Sequence, residues 1–243
     1  MTAASHAIAG LTDQRRISAA TYQAFMPHRR VLGALEQVAS GQPQRPALTL
    51  VDDPDPSAPV RQWTYARFVQ DVRCAANLFS ALADGAPRVA LLLPPMAETH
   101  LALWGAETAG IACTINFQLN TEHIAELLQA CGANILVALG ACPDLDIAQK
   151  VEPLRAACPG LRHVLYVPAG PDLPLAAGQR DFCAELALQD GDRLAFDEPA
   201  SPLAALFHTG GTTGAPKLAQ HTHANQLHAA WGRPACSAPG PTM

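Results

Sequence analysis

The amino-acid sequence predicts an α/β fold, a layered and mainly parallel sheet flanked by helices. Three observations predict it. From Arg88 onward, short apolar runs alternate with segments whose apolar residues recur at three-to-four spacing. The runs are apolar throughout, as in "VALLLP" (Val89 to Pro94), which marks strands covered on both faces. Strands joined through helices cross over right-handedly, which makes neighbouring strands parallel.

Residues 1 to 45 read as an N-terminal arm followed by a helix that begins near His28 and carries Val31, Leu32, Leu35 and Val38. "PALTLV" (Pro46 to Val51) and "RQWTY" (Arg61 to Tyr65) read as two strands of a hairpin about a proline-rich turn. Thr64 is placed to cap the next helix, whose buried face is Phe68, Val72, Ala75, Phe79 and Leu82. Val89 to Pro94 is the first strand of the main sheet. A helix from Glu98 to Ala109 follows, ended by Gly110, and then a strand at "IACTIN" (Ile111 to Asn116). Thr121 is expected to cap a helix with Ile124, Leu127 and Leu128 that stops at Gly132. "NILVALG" (Asn134 to Gly140) and "HVLYVPA" (His163 to Ala169) are the next strands, and Pro153 between them must open or break a helix. Ala169 to Pro202 reads as a long surface connection with one short apolar segment, Phe182 to Leu188. "LAALFHT" (Leu203 to Thr209) is the last strand expected, and it runs into a loop.

Composition narrows the classes. Basic residues number 16 and acidic residues 21, a net charge of −5, with no basic run to follow a nucleic-acid backbone. The seven cysteines are scattered without a C-x-x-C pair, as in a reduced cytosolic protein. The apolar stretch Leu101 to Ile115 is broken by Glu107 and is shorter than the ~20 residues of a membrane span. The expectation is a cytoplasmic protein with no nucleic-acid partner and no transmembrane segment. His221, His223 and His228 are read as a strand end and a helix face, with no metal assigned to them. Asp52, Asp53 and Asp55 lie among prolines and read as a solvated turn.

The segment "FHTGGTTGAPKLAQHTH" (Phe207 to His223) carries the chemistry. Gly210, Gly211 and Gly214 let the main chain approach an anion and turn its N–H groups inward. Thr209, Thr212 and Thr213 add hydroxyls, and Lys217 adds a point charge. The pattern is that of a phosphate cradle. A Walker-type loop is disfavoured, because Pro216 stands where its second glycine would be and Leu218 where its magnesium-binding hydroxyl would be.

Thr209 to Leu218 resembles the phosphate-binding loop of the adenylate-forming (AMP-binding) superfamily, T-[SG]-G-T-T-G-x-P-K-[GL]. Gly210 and Leu218 depart from the commonest residues of that pattern, Ser and Gly, in a direction met among fatty-acyl and aryl CoA ligases. "THAN" (Thr222 to Asn225) is similar to the T-H-x-N segment that opens the family's next helix, with Thr222 as its cap. Upstream, "VALLLPPMAETHLALWGAETAGIACTIN" resembles a strand–helix–strand block of the same family, with Pro95 for its Asn and Thr114-Ile115 for its Pro-Leu.

The resemblance implies a partial synthetase N-terminal domain over residues 46 to 231 and an acyl-CoA synthetase-like ligase that activates a fatty or aryl acid through an acyl-adenylate. It implies ATP, Mg2+ and coenzyme A, with Thr209, Gly210, Gly211, Thr212, Thr213, Gly214 and Lys217 as the nucleotide-binding residues. The family's later motifs, aromatic-Gly-x-Thr-Glu and Thr-Gly-Asp, and its C-terminal lid lysine are not found in these 243 residues. Residues 232 to 243 read as an irregular tail, the end of a truncated or frame-shifted reading frame. The chain is therefore expected to be an N-terminal portion with no complete catalytic set. The alternatives are a non-catalytic nucleotide-binding remnant, a pseudogene product, or a piece of an amino-acid adenylation domain.

Overall fold

The computed structural model describes residues 27–51, 55, 60–209 and 217–236, the last few of these as main chain only. The first helix is α1 (Val31–Gly41), whose Leu32 enters the core. The expected hairpin forms from β1 (Pro46–Leu50) and β2 (Arg61–Thr64) as a two-stranded antiparallel sheet of its own. Thr64 then caps α2 (Tyr65–Leu82), its side chain accepting from the N–H of Arg67 at 3.3 Å.

The main sheet is built from β3 (Arg88–Leu92), β4 (Ile111–Thr114), β5 (Ile135–Leu139), β6 (His163–Val167), β7 (Leu203–His208) and β8 (Leu218–Thr222). Its order is β6-β5-β3-β4-β7-β8. All pairs are parallel except β7 with β8. Val89 pairs with Ile135 and Leu92 with Ala138, so the two runs expected to share a sheet are neighbours in it. Every residue of β5 is buried, as its unbroken apolar sequence requires of a central strand.

Helices α3 (Ala97–Ala109), α4 (Thr121–Cys131) and α5 (Ile147–Ala157) join these strands. Helix α3 packs on α2 and α1, whereas α4 packs on α5. Right-handed crossovers put these two groups on opposite faces of the sheet, since the chain moves one way from β3 to β4 and the other way from β4 to β5. Gly132 ends α4 with φ 64°, the left-handed conformation that favours glycine. Gly110 ends α3 for another reason: a Cβ there would stand 2.1 Å from the carbonyl oxygen of Pro87. Among the described residues no helix is long and apolar enough to cross a membrane.

Four expectations need correction. The cap of α4 is Asn120, whose side chain accepts from the N–H of His123 at 2.9 Å, one residue before Thr121. Pro153 neither opens nor breaks α5 but lies inside it, where the fully buried Ile147, Val151 and Leu154 outweigh the lost hydrogen bond. The segment from Ala169 to Pro202 is only partly a surface connection. It contains α6 (Phe182–Ala187), capped by Asp181, with Phe182 fully buried and its ring 6.0 Å from that of Phe79. Beyond α6, the buried Asn77 of α2 brackets the connection. Its amide donates to the carbonyls of Asp190 and Arg193 at 2.7 and 2.9 Å and accepts from the N–H of Ala195 at 2.8 Å. Lastly, the sheet does not end at Thr209, because β8 returns antiparallel beside β7.

Candidate functional site

The glycine and threonine loop leaves the sheet from the carboxyl end of β7 and re-enters it at β8. Phe207 pairs with Ala219 and His208 with Leu218, and the N–H of Thr209 donates to the carbonyl of Lys217 at 3.0 Å. Thr209 and Lys217 are thus brought together as the two posts of the loop. Gly210, Gly211, Thr212, Thr213 and Gly214 lie outside the described residues. Phe207 and His221 clamp the base of the two strands edge to face, with ring centroids 4.9 Å apart.

Beside the first post lies an apolar crevice of about 390 Å³. It sits at the carboxyl ends of β3, β4 and β7, among Leu93, Thr114, Asn116, Phe207 and His208 and below the start of α3 at Thr99 and His100. The chain leaving β3 turns toward the face of α3 and the chain leaving β4 toward that of α4, which opens such a crevice in parallel sheets. His208 Nε2 accepts from the N–H of Asn116 at 3.1 Å, which ties the strand that delivers the loop to the end of β4. Burial lowers the pKa of His100 below its ordinary value, so its ring is neutral in the crevice.

The second post runs through β8 into α7 (His223–Cys236), which continues past Trp231. The T-H-x-N segment explains itself here. Thr222 Oγ1 accepts from the N–H of Asn225 at 3.1 Å, and Asn225 Oδ1 accepts from the N–H of Thr222 at 3.0 Å, a reciprocal capping box. His223 between them is buried, and its Nε2 lies 3.0 Å from Nη1 of Arg30. Since a guanidinium only donates, Nε2 is an acceptor and the imidazole is neutral. Burial, and then the Arg30 charge, push its pKa down to about 4. Arg30 also donates to the carbonyls of Pro199 and Ser201 and pairs with Glu198 at 3.1 Å.

The sequence reading named Thr209 and Lys217, which the structure places side by side, and the cap at Thr222. It did not find Arg30, Asn116, His208 or the role of His223, because each acts through a partner far away in the chain. Only the T-H-x-N spacing pointed toward one of them. His221, His223 and His228 are divided between β8 and α7. Among the described residues no three His, Cys, Asp or Glu side chains gather as metal ligands.

Comparison with known proteins agrees with this arrangement. The profile of a family described as AMP-binding enzyme matches residues 35–239. The marinolic acid–CoA ligase of Pseudoalteromonas sp. (strain SANK 73390) is 34% identical over 167 residues, covering 68% of this chain and 25% of that protein. The mitochondrial acyl-coenzyme A synthetase ACSM1 of Mus musculus is 27% identical over 164 residues, covering 66% of this chain and 27% of that protein. The chain therefore spans about a quarter of the length of these two relatives. Among solved structures, the anthranilate CoA ligase AuaEII in complex with anthranoyl-AMP superposes with a TM-score of 0.66 at 22% identity, over 83% of this chain and 36% of that one.

Proposed function

The chain belongs to the AMP-binding enzyme family, and from that premise we propose that it is the N-terminal portion of an ATP-dependent carboxylate–CoA ligase that activates a fatty or aryl acid. The observation that carries the reading is the main-chain clasp between Thr209 and Lys217, the two ends of the loop, with an apolar crevice beside neighbouring His208.

On this reading a carboxylate oxygen of the acid attacks the α-phosphorus of ATP. The bond from that phosphorus to the bridging oxygen breaks, and pyrophosphate leaves with the electron pair. The sulfur of coenzyme A then attacks the acyl carbon of the mixed anhydride and displaces AMP, giving a thioester. Negative charge gathers on the departing pyrophosphate in the first step. The main-chain N–H groups of Gly210, Gly211 and Gly214, the hydroxyls of Thr209, Thr212 and Thr213, and the Lys217 ammonium are the groups we assign to meet it. The paired strands β7 and β8 fix Thr209 and Lys217, the two ends of the loop, before charge develops. The apolar crevice suits the hydrocarbon part of an acid. The described residues offer no cage for the Mg2+ that the resemblance implies, and no step here depends on one. The free cysteines, with Cys74, Cys113, Cys131 and Cys158 buried, favour a reducing compartment, and we assign the cytoplasm.

The test is ATP binding together with pyrophosphate exchange on the purified 243-residue chain, offered a panel of fatty and aryl acids. Measurable ATP binding that Lys217→Ala weakens, with exchange at background, is the expected result. Absence of ATP binding overturns the reading of the loop. Vigorous exchange that disappears in Lys217→Ala overturns the view that these residues lack a complete catalytic set.

A further inference from the structure

Glu107 stands in the last turn of α3 and is 1% exposed. Across from it is Gln226 of α7, the helix into which the second post of the loop runs. Gln226 Nε2 donates to Glu107 Oε1 at 2.8 Å. The remaining oxygen of each group, Glu107 Oε2 and Gln226 Oε1, is buried without a hydrogen-bond partner. Buried polar atoms are rarely left so, and here two orphans belong to one pair. An ionised carboxylate relieves neither, because it has no hydrogen to offer the amide oxygen. A carboxylic acid relieves both with a single proton: Oε2–H donates to Gln226 Oε1 while Nε2–H continues to donate to Oε1.

We infer that Glu107 is held as the neutral acid in a two-hydrogen-bond ring with the Gln226 amide, and that this ring positions β8 and α7, and through them Lys217, against α3. The part concerning Lys217 rests on the phosphate reading of the loop. Burial pushes the Glu107 carboxyl up to about 7, opposed by the Gln226 amide, and no charged side chain enters that balance. The charges on the elements packed against α3 are engaged elsewhere. Arg73 of α2 pairs with Glu36 of α1, Arg67 with Asp71 within α2, and Arg88 of β3 donates to the carbonyl of Cys131. Cys74 of α2, Cys113 of β4 and His208 of β7 add only neutral groups, as does the buried imidazole of His223, beyond which lies Arg30. One proton therefore decides whether the pair is satisfied.

The experiment is a pH titration of the 243-residue chain, with glutamate side chains labelled with carbon-13 and main-chain amides followed in parallel. The Glu107 carboxyl, identified by its loss in Glu107→Gln, should titrate with a midpoint near 7. The amide signals of Leu218 to Gln226 should shift with the same midpoint. In Glu107→Gln an amide–amide ring replaces the acid–amide one, so those shifts should vanish while the fold is kept. Should that variant not fold, Gln226→Met removes the ring from the other side and must abolish the shared midpoint. A Glu107 carboxyl titrating in the ordinary range, at about 4.3, overturns the ring. A midpoint near 7 without response in Leu218 to Gln226 overturns the positioning. ATP affinity is then compared between wild type and Glu107→Gln at pH 6 and pH 8.5, a ratio in which the titration of the nucleotide cancels. Wild type should lose at least about 3-fold relative to the variant at the higher pH. If neither binds ATP at either pH, the phosphate reading fails, while the carboxyl and amide titrations still decide the ring.

Discussion

The N–H of Thr209 donates to the carbonyl of Lys217 at 3.0 Å, so the two ends of the glycine and threonine loop are joined through main chain alone. The clasp does not need the lysine side chain, which is exposed. Lys217→Ala should therefore leave the melting temperature within a degree or two. It should weaken ATP or pyrophosphate binding about 10- to 100-fold, as expected for one hydrogen bond to a charged group worth roughly 1.5–3 kcal/mol. Calorimetric titration beside a thermal melt checks both halves. A large fall in melting temperature would mean the side chain is structural.

His223 and Glu107 should give opposite pH dependences. The His223 pKa is lowered to about 4, so the unfolded chain takes up a proton that the fold refuses as pH drops below 6.5, and stability falls. The full shift corresponds to about 3 kcal/mol at most. The Glu107 pKa is raised to about 7 from 4.5, so its contribution is complete below 4.5 and lost as pH rises through 7. Between pH 5 and 6.5 the two slopes oppose each other. Urea unfolding of wild type should change little across that range. Glu107→Gln should lose stability as pH falls, and His223→Gln as pH rises. Equal slopes in the two variants would contradict this account.

Asn77→Ala should cost about 2–3 kcal/mol, because it removes three hydrogen bonds and leaves the main chain of residues 190–195 without buried partners. The loss should appear as faster proteolytic cleavage between Gln189 and Ala195, ahead of global unfolding. Cleavage elsewhere first would mean the bracket is not what holds that segment.

Gly110→Ala should be more harmful than a surface glycine change. The new methyl would meet the Pro87 carbonyl at 2.1 Å, and the backbone of β3 or β4 must move to admit it. Overpacking of this kind costs roughly 1–3 kcal/mol or more. Gly41→Ala, where a Cβ meets nothing within 4 Å, is the control. Comparable stabilities for the two variants in urea would refute the close approach.

Local pattern carried most of the fold. The unbroken apolar runs of β3 and β5, the Thr64 cap and the Gly132 stop are written within a few residues of where they act, and all were legible. What was not legible depends on partners distant in sequence. Pro153 is a breaker by local rules, and only the sheet packed against Ile147 and Leu154 overrides it. Phe182 lies in a stretch that reads as connection, and its partner Phe79 is a hundred residues earlier. Strand β8 has mixed polar residues and is a strand because β7 gives it a ladder. At the site, the phosphate reading of the loop rests on its residue types alone. The Glu107–Gln226 pair was visible only as a glutamate interrupting an apolar helix, with nothing to say what answered it.

The junction at Arg30 has a consequence for synthesis. Its partners, Glu198, Pro199 and His223, lie as many as 193 residues further along the chain. At roughly 5–20 residues per second, the ribosome needs on the order of 10–40 s to deliver His223 after Arg30 has emerged. During that wait α1 can already seat Leu32 and Glu36 against α2 and α3, while Arg30 at its start has none of these partners. Arg30 is made long before its partners, so this join can close only after the loop and the start of its following helix have been delivered.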